Sequence, residues 1–234
     1  MNASQLLSQL RSRRARISDF RLFDISQDEM RAILSEAYLQ EVMKRYKTFI
    51  ANDVLKETIS VIAQWLTSPQ SRRKPSLYIV GYPGTGKTTM MLAIRETMNL
   101  LHQRDPLCPS SKISELFLNI KTSKEINTIF KEDLKQYRAI TNRYFLGIDD
   151  LGNESKVLLE HGNIYTPIQN LLEQRYITQY PTIITSNLNG EDIRNRYGNR
   201  IADRMNEMAL PIILDFDDVV RDGQTEHFSY RNSL

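Results

Sequence analysis

Residues 81–88 have the residue types and the spacing that a phosphate-binding loop requires. They read Gly-Tyr-Pro-Gly-Thr-Gly-Lys-Thr, a full match to G-x-x-x-x-G-K-[ST]. Glycines let backbone N–H groups turn inward around a phosphate, and a helix that follows points its positive end there. Lys87 is then expected to reach the β- and γ-phosphates, and Thr88 to offer its hydroxyl to Mg²⁺. The predicted phosphate-contacting residues are Gly81, Pro83, Gly84, Thr85, Gly86, Lys87, Thr88 and Thr89.

Two acids, Asp149 and Asp150, follow an apolar run at residues 144–148 that predicts a buried strand. Asp149 is expected to hold Mg²⁺ together with Thr88, directly or through water. Asp150 is expected to orient or deprotonate the attacking water. Asp is common in loops, so such a pair means little alone. Downstream of a phosphate loop it indicates metal-dependent nucleotide hydrolysis.

A polar side chain, Asn187, stands at the end of another predicted strand, residues 182–185. Its amide can hydrogen-bond the attacking water or the γ-phosphate without adding charge. An isolated Asn at a strand end is usually a turn former. Its place after the two acids favours a role in hydrolysis.

Arginines cluster around Tyr197-Gly198, at positions 194, 196, 200 and 204. Arg200 and Arg204 are four residues apart and therefore share one helix face. For any single arginine here, surface pairing with a nearby acid is the simpler interpretation. For at least one of Arg200 and Arg204, we favour a role at a subunit boundary, where it would stabilise transition-state charge on a neighbour's nucleotide.

Short apolar runs alternate with helical patterns, which predicts an α/β domain with a mainly parallel sheet. The predicted strands are residues 77–80, 116–120, 144–148, 182–185 and 210–216. Apolar spacing of three and four residues predicts helices within 28–66, with Asn52 or Asp53 as a cap, and over 87–103. Thr166, Pro167 and Gln169 predict a further helix start with a capping box.

Composition places the chain among single-domain proteins that need no cross-links. It has 234 residues, 41% of them hydrophobic, and one cysteine, Cys108. A single cysteine excludes an internal disulfide framework and a multi-cysteine zinc module. No apolar run approaches the roughly 18–20 residues of a membrane span, and the N-terminus lacks the apolar core of a secretory signal. We expect a cytoplasmic protein without membrane association.

The formal net charge of +3 is distributed unevenly along the chain. Residues 1–76 contain 13 Lys and Arg against 8 Asp and Glu, whereas residues 77–234 contain 18 against 20. The densest positive group is Arg11, Arg13, Arg14 and Arg16. Such an arm can bind phosphates or acidic partners, although a solvated tail has the same composition.

In order, these motifs resemble those of AAA+ ATPases: Walker A at 81–88, Walker B at 148–150, sensor 1 at Asn187, then an arginine-bearing helix. More narrowly, the chain is similar to the DnaC/IstB-type group of bacterial replicative-helicase loaders and transposition helper ATPases. Residues 149–152, 171–176, 185–188 and 197–205 carry this narrower resemblance, which spans roughly residues 45–220. By position in the last stretch, Arg204 resembles the arginine finger, with Arg200 in support.

The resemblance implies a P-loop AAA+ fold: three α/β/α layers, a helical N-terminal extension and no full C-terminal helical lid, since only 47 residues follow Asn187. The expected division is a basic extension at 1–50 for partner or DNA contact, an ATPase domain at 51–220 and a tail at 221–234. Walker B usually ends in Asp-Glu. Asp150 in the second place suggests slower hydrolysis.

The function implied is an ATPase of DNA replication that loads a replicative helicase on single-stranded DNA and self-associates through ATP-bridged subunit interfaces. Two alternatives stay open: a transposition helper on duplex DNA, and an adaptor switched by ATP binding alone. A small-molecule phosphotransferase would share the phosphate loop. The paired acids and Asn187 at successive strand ends favour AAA+ hydrolysis instead.

Overall fold

The computed structural model of the protein describes residues 3–18, 22–45, 52–104, 117–160 and 162–214. The predicted tail at 221–234 and the end of the predicted strand 210–216 lie outside these residues. The helices are α1 Ala3–Ser18, α2 Gln27–Met43, α3 Asp53–Thr67, α4 Lys87–Arg104, α5 Ser123–Glu132, α6 Leu134–Thr141, α7 Pro167–Thr178, α8 Gly190–Tyr197 and α9 Asn199–Met208. The strands are β1 Ser76–Val80, β2 Asn119–Thr122, β3 Leu146–Leu151, β4 Leu158–Glu160, β5 Asn163–Tyr165, β6 Thr182–Ser186 and β7 Ala209–Ile213.

Five strands form one parallel sheet in the order β2-β3-β6-β1-β7, which confirms the predicted fold class. The remaining two, β4 and β5, pair as an antiparallel hairpin. Strand β1 lies between β6 and β7, with Ile79 beside Thr185 on one side and Ile212 on the other. The carboxyl ends of β1, β3 and β6 therefore meet at one edge of the sheet, where parallel α/β folds bind ligands.

Alternation along the strands builds two apolar cores, one on each face of the sheet. Leu77 and Ile79 of β1 face a core that also takes residues from α2, α3 and α4. Tyr78 and Val80 face the second core, which is shared with α5 to α9. The result is the three-layer α/β/α arrangement expected from the resemblance. Among the described residues, no helix is long and apolar enough to cross a bilayer.

The N-terminal region is helical, as predicted, and α2 is part of the first core. Met30 and Leu34 of α2 are fully buried there, in the same cluster as Met90 and Met91 of α4. A capping box holds the start of α2: Ser26 accepts from the Glu29 N–H and the Glu29 side chain accepts from the Ser26 N–H. Helix α2 therefore packs against the helix that follows the phosphate loop. The proposed domain boundary at residue 50 stays a prediction.

Two predictions about helix starts have different outcomes. Asn52 caps α3 by accepting from the Leu55 N–H at 2.7 Å, as predicted. The capping box predicted at Thr166 is wrong, because the Thr166 side chain makes no capping hydrogen bond. Gln169, which should have completed the box, instead donates to the Tyr197 carbonyl oxygen at 3.0 Å. The capping box does not form because the Gln169 side chain makes a tertiary hydrogen bond to Tyr197 instead.

One buried arginine, Arg175 of α7, aligns the strand ends opposite the candidate site. It has no exposed surface and uses all five N–H donors. Nε donates to the Thr182 hydroxyl at 2.7 Å, and the terminal nitrogens donate to the carbonyl oxygens of Thr141, Arg143, Tyr144 and Pro181. These carbonyls belong to the end of α6 and to the segments entering β3 and β6. Burial lowers the pKa of Arg175 to about 10.

Replacing Arg175 by methionine should lower the free energy of unfolding by about 3–5 kcal/mol, because four inward carbonyls each lose a hydrogen bond from the guanidinium. The melting temperature should fall by about 10 °C for a domain of this size. Arg138→Met is the matched control, since Arg138 is exposed on α6. Thermal unfolding of both variants followed by circular dichroism checks this. Equal, small shifts in the two would contradict it.

Candidate nucleotide site

The phosphate loop joins β1 to α4, as its sequence predicts. Two of its glycines have backbone conformations that a side chain would strain, Gly84 at φ 89° and Gly86 at φ 86°. A Cβ on Gly86 would lie 2.6 Å from the Tyr38 hydroxyl, and one on Gly81 only 2.1 Å from the Leu214 carbonyl oxygen. The glycines thus allow the backbone turn of the loop and also the close approach of Tyr38 and Leu214. The first turn of the 18-residue helix α4 opens from the loop, with its free N–H groups facing the cradle.

Lys87, the first residue of α4, points back along the loop. Its ammonium group donates to the carbonyl oxygens of Gly81 at 2.8 Å and Tyr82 at 2.7 Å, and the residue is 5% exposed. Thr85 is also buried, and its hydroxyl donates to the Tyr82 carbonyl at 2.9 Å. A buried ammonium beside inward-turning backbone amides is suited to phosphate oxygens, which are stronger acceptors than the loop carbonyls.

The structure brings together the two predicted metal-binding residues. The Thr88 hydroxyl donates to both carboxylate oxygens of Asp149, at 2.9 and 3.2 Å. Thr185 of β6 donates to the same carboxylate at 2.5 Å, and its own oxygen accepts from the Asp150 N–H at 2.9 Å. A carboxylate and a hydroxyl in contact are the hard oxygen ligands that Mg²⁺ takes in nucleotide sites. These residues therefore fit the implied ion.

Thr185 was not predicted as a site residue. Thr185 lies on β6, two positions before Asn187. Only the pairing of β3 with β6 places it against Asp149. The sequence signals for Thr185 were its position at the end of a predicted strand and its place in the stretch 185–188, which carries part of the family resemblance. Its two hydrogen bonds fix the Asp149 carboxylate and the Asp150 backbone together.

Asp150 has an unusual backbone for a residue with a side chain, at φ 55°. Its carbonyl oxygen accepts from the Ser123 hydroxyl at 2.7 Å and from the Asn153 N–H at 3.1 Å. Burial, and then the neighbouring charge of Asp149, raise the pKa of the Asp150 carboxyl, while Lys87 and Lys124 oppose the rise. Strain and charge repulsion at one acid are typical of functional sites.

Asn187 directly follows β6, beside the end of β3. The register pairs Ser186 with Leu151, and the Ser186 hydroxyl donates to the Leu151 carbonyl at 2.6 Å. The Tyr78 hydroxyl of β1 donates to the Leu188 carbonyl at 2.5 Å. Asn187 is thus held between contacts to β3 and to β1, at the edge that carries the acids and the phosphate loop.

The two candidate finger arginines contact α7 rather than the phosphate loop. Arg200 Nε and Arg204 Nη1 both lie 3.1 Å from the same Glu173 carboxylate oxygen. The Arg204 guanidinium also stacks over the Tyr176 ring at 5.0 Å, and its side chain is 21% exposed against 70% for Arg200. These two arginines therefore lie side by side on the face made by α7 and α9, and both contact Glu173.

Helix α2 and the segment just after it make two contacts that were not predicted, one to the phosphate loop and one to the first turn of α4. Tyr38 of α2 places its hydroxyl against Gly86, as described above. Arg45, just after α2, donates to the Thr89 hydroxyl at 3.1 Å, and Thr89 is 6% exposed. The start of α4 is thus covered by two residues that lie 44 and 48 positions before the residues they contact.

No protein-family model and no curated protein matches the chain. Solved structures do. The DnaI structure matches with a TM-score of 0.53 and 21% identity, covering 82% of this chain and 95% of that one. A Streptococcus pyogenes serotype M3 protein, provisionally described as a primosome component, gives 0.51 and 18%, covering 70% and 81%. The DnaC helicase loader gives 0.49 and 20%, covering 71% and 93%.

At sequence identities this low, structural similarity shows a shared fold and does not show a shared activity. The first two structures match over most of their own length, so the likeness is to whole domains and not to the phosphate loop alone. The parallel sheet, the helical layers and the order of motifs agree with the resemblance found in the sequence. The chain therefore has the predicted AAA+ fold class, with the architecture of the DnaI structure and of the Streptococcus pyogenes protein.

Proposed function

We propose that this protein binds and hydrolyses ATP with Mg²⁺ and acts in DNA replication as a helicase loader-like factor on single-stranded DNA. The observation that carries the nucleotide assignment is the contact of Thr88 with Asp149, beside the buried Lys87. The replication role rests on the narrower sequence resemblance, supported by the fold shared with DnaI and with the primosome component.

In this proposal each residue of the site has a defined task. The loop amides and Lys87 hold the β- and γ-phosphates, and Thr88 and Asp149 hold the ion, which would neutralise charge on the phosphates. Asp150 orients the attacking water and takes up its proton, while Asn187 donates a hydrogen bond beside the γ-phosphate. Thr185 keeps the Asp149 carboxylate turned toward Thr88.

Residues 1–50 are proposed as the region that meets the partner or DNA, residues 51–220 as the ATPase domain, and residues 221–234 as a tail. Leu6 and Leu7 of α1 are 46% and 52% exposed, on a helix whose sequence also contains Arg11, Arg13, Arg14 and Arg16. Exposed leucines on a helix with a basic sequence suit a protein or nucleic-acid surface better than solvent alone. Since Tyr38 contacts the phosphate loop and Arg45 contacts the first turn of α4, a partner bound to this region would lie close to the nucleotide.

The replication role is tested by purifying the protein with the replicative helicase encoded in the same genome. An ATP-dependent complex is expected, seen as co-elution in size-exclusion chromatography, and Lys87→Ala should not form it. Fluorescence anisotropy with labelled oligonucleotides should show ATP-dependent binding to single strands. No helicase complex, combined with ATP-dependent filaments on duplex DNA, would instead establish the transposition-helper alternative.

The proposed self-association makes a prediction about the arginines. Arg204→Ala subunits and Lys87→Ala subunits should each hydrolyse ATP poorly, but a mixture should recover activity. In the mixture an intact Lys87 site meets an intact Arg204 from its neighbour. Steady-state phosphate release measures the recovery across mixing ratios, and Arg200→Ala in place of Arg204→Ala tests the second candidate. Normal hydrolysis by Arg204→Ala alone, with no recovery needed, would refute the assignment in trans.

A further inference from the structure

A buried acid, Glu154, joins the loop after the two catalytic aspartates to the start of the arginine helix. Its side chain has no exposed surface. One carboxylate oxygen accepts from the Gly152 N–H at 2.8 Å, and the other accepts from the Tyr197 hydroxyl at 2.5 Å. Arg196 lies 3.4 Å from that second oxygen and also donates to the Glu154 carbonyl. One carboxylate is therefore shared by two distant segments of the chain.

On the nucleotide side, the segment that Glu154 holds is a short turn packed against Leu188. The Asn153 N–H donates to the Asp150 carbonyl at 3.1 Å, which closes a tight turn after the acids. Gly152 in this turn has φ 103°, and a Cβ there would lie 2.6 Å from Leu188. A displacement of Asp150 therefore moves the turn against the residue that follows Asn187. Asp150 and Glu154 are therefore linked through the backbone of this turn by two hydrogen bonds, Asn153 N–H to the Asp150 carbonyl and Gly152 N–H to the Glu154 carboxylate.

On the other side, Tyr197 is the last residue of α8, and Gly198 alone separates it from α9. Tyr197 is 5% exposed, and its carbonyl accepts from Gln169 of α7. Burial and the bond to Glu154 raise its pKa well above the usual range, so the phenol stays protonated and donates. Gly198 has φ 89° and a Cβ there would meet nothing within 4 Å, so its role is to set the angle between the helices. Arg200 and Arg204 follow on α9.

We propose that Glu154 is a positioning residue that couples the γ-phosphate end of one nucleotide site to the arginines that this same subunit offers its neighbour. The proposal rests on the proposed function and goes beyond it by naming the connection. A shift of Asp150 on nucleotide binding passes through the turn at Gly152 to Glu154, then through Tyr197 to α9. A buried, fully used carboxylate is suited to this task because breaking either bond leaves an unsatisfied charge.

The test compares amide hydrogen exchange across residues 199–208 with and without a non-hydrolysable ATP analogue and Mg²⁺, using the full chain. In the unaltered protein the analogue should change exchange in this helix, and in Lys87→Ala it should not. Tyr197→Phe should bind the analogue with a dissociation constant within about threefold of the unaltered protein, yet lose most of the response in α9. Its kcat should fall by about 3- to 30-fold, the range of measured coupling effects.

Tyr137→Phe is the matched control, because Tyr137 is also buried and donates to a carbonyl, that of Pro167, at 2.7 Å. It should show a similar loss of thermal stability but an unchanged response in α9 and an unchanged kcat. Glu154→Gln is the second variant, since glutamine keeps one acceptor of the two and should give a partial loss. If Tyr197→Phe does not fold, the hydrogen exchange of α9 and kcat are measured on Glu154→Gln instead.

The outcomes separate the two proposals. A response in α9 that persists in Tyr197→Phe and Glu154→Gln, or that is absent from the unaltered protein despite analogue binding, overturns the coupling and leaves the ATPase proposal standing. If the unaltered protein binds no nucleotide, the ATPase proposal fails and the coupling fails with it. A response lost equally in Tyr137→Phe identifies a general packing effect and also overturns the coupling.

Discussion

Replacing Lys87 by alanine is expected to abolish ATP hydrolysis, lowering kcat by about 10²- to 10³-fold as the loss of a transition-state donor does in other enzymes. The ammonium is buried at the mouth of the loop and is held by the carbonyls of Gly81 and Tyr82. Its removal takes away the positive charge closest to where phosphate charge would develop. Nucleotide affinity should fall as well, because the same group contacts the ground-state phosphates.

The measurement pairs phosphate release with equilibrium binding of a fluorescent ATP analogue. Lys131→Ala is a suitable control, since this lysine is exposed on α5 and is not part of the phosphate loop. Unfolding followed by circular dichroism should show that Lys87→Ala is folded. Hydrolysis by Lys87→Ala at the rate of the control would contradict the assignment of residues 81–88 as the ATP site.

The sequence was sufficient to predict the parts of the site that are local. The phosphate loop is a contiguous motif whose glycines and lysine have one physical explanation, and the acids follow an apolar run that can only be a strand in such a fold. Parallel pairing then puts the ends of β1, β3 and β6 together without further information. The fold class and the places of Lys87, Thr88 and Asp149 follow from these features.

Contacts between residues that lie far apart along the chain could not be predicted from the sequence. Thr185 meets Asp149 across 36 positions, and Tyr197 meets Glu154 across 43, so each depends on strand order and helix packing that no local pattern encodes. The failed capping box at Thr166 has the same cause, since Gln169 is used by Tyr197. Strand β2 was also predicted about two residues early, at 116–120. Its start is set by pairing with β3, Asn119 beside Leu146, and not by apolar content.

Replacing Asp150 by asparagine is expected to slow hydrolysis by about 10²- to 10⁴-fold, the usual contribution of a general base. ATP binding should be retained, because Thr88 and Asp149 still hold the ion and Lys87 still meets the phosphates. Asparagine suits the position in shape, since it tolerates the left-handed backbone that Asp150 adopts at φ 55°. The variant therefore separates chemistry from folding more cleanly than alanine would.

Stability provides an independent check on the same variant. The pKa of Asp150 is raised by burial and by Asp149, so its charged form is disfavoured in the folded protein. An acid with a raised folded pKa costs stability at neutral pH, and that cost disappears as the pH falls through the raised value. Asp150→Asn removes the charge. Its nucleotide-free melting temperature at pH 7 should therefore equal or exceed that of the unaltered protein, with the difference shrinking in acid.

Asp150→Asn also decides between a hydrolysing loader and the adaptor that is switched by ATP binding alone. If hydrolysis releases the partner, the variant should form the helicase complex with ATP but dissociate from it slowly, which surface plasmon resonance measures directly. If binding alone is the switch, the variant should assemble and release as the unaltered protein does, while Lys87→Ala does neither. Both variants are expected to hydrolyse ATP slowly, but only Asp150→Asn is expected to bind it with the affinity of the unaltered protein. A substitution at Asp150 can therefore separate the effect of ATP binding from the effect of ATP hydrolysis.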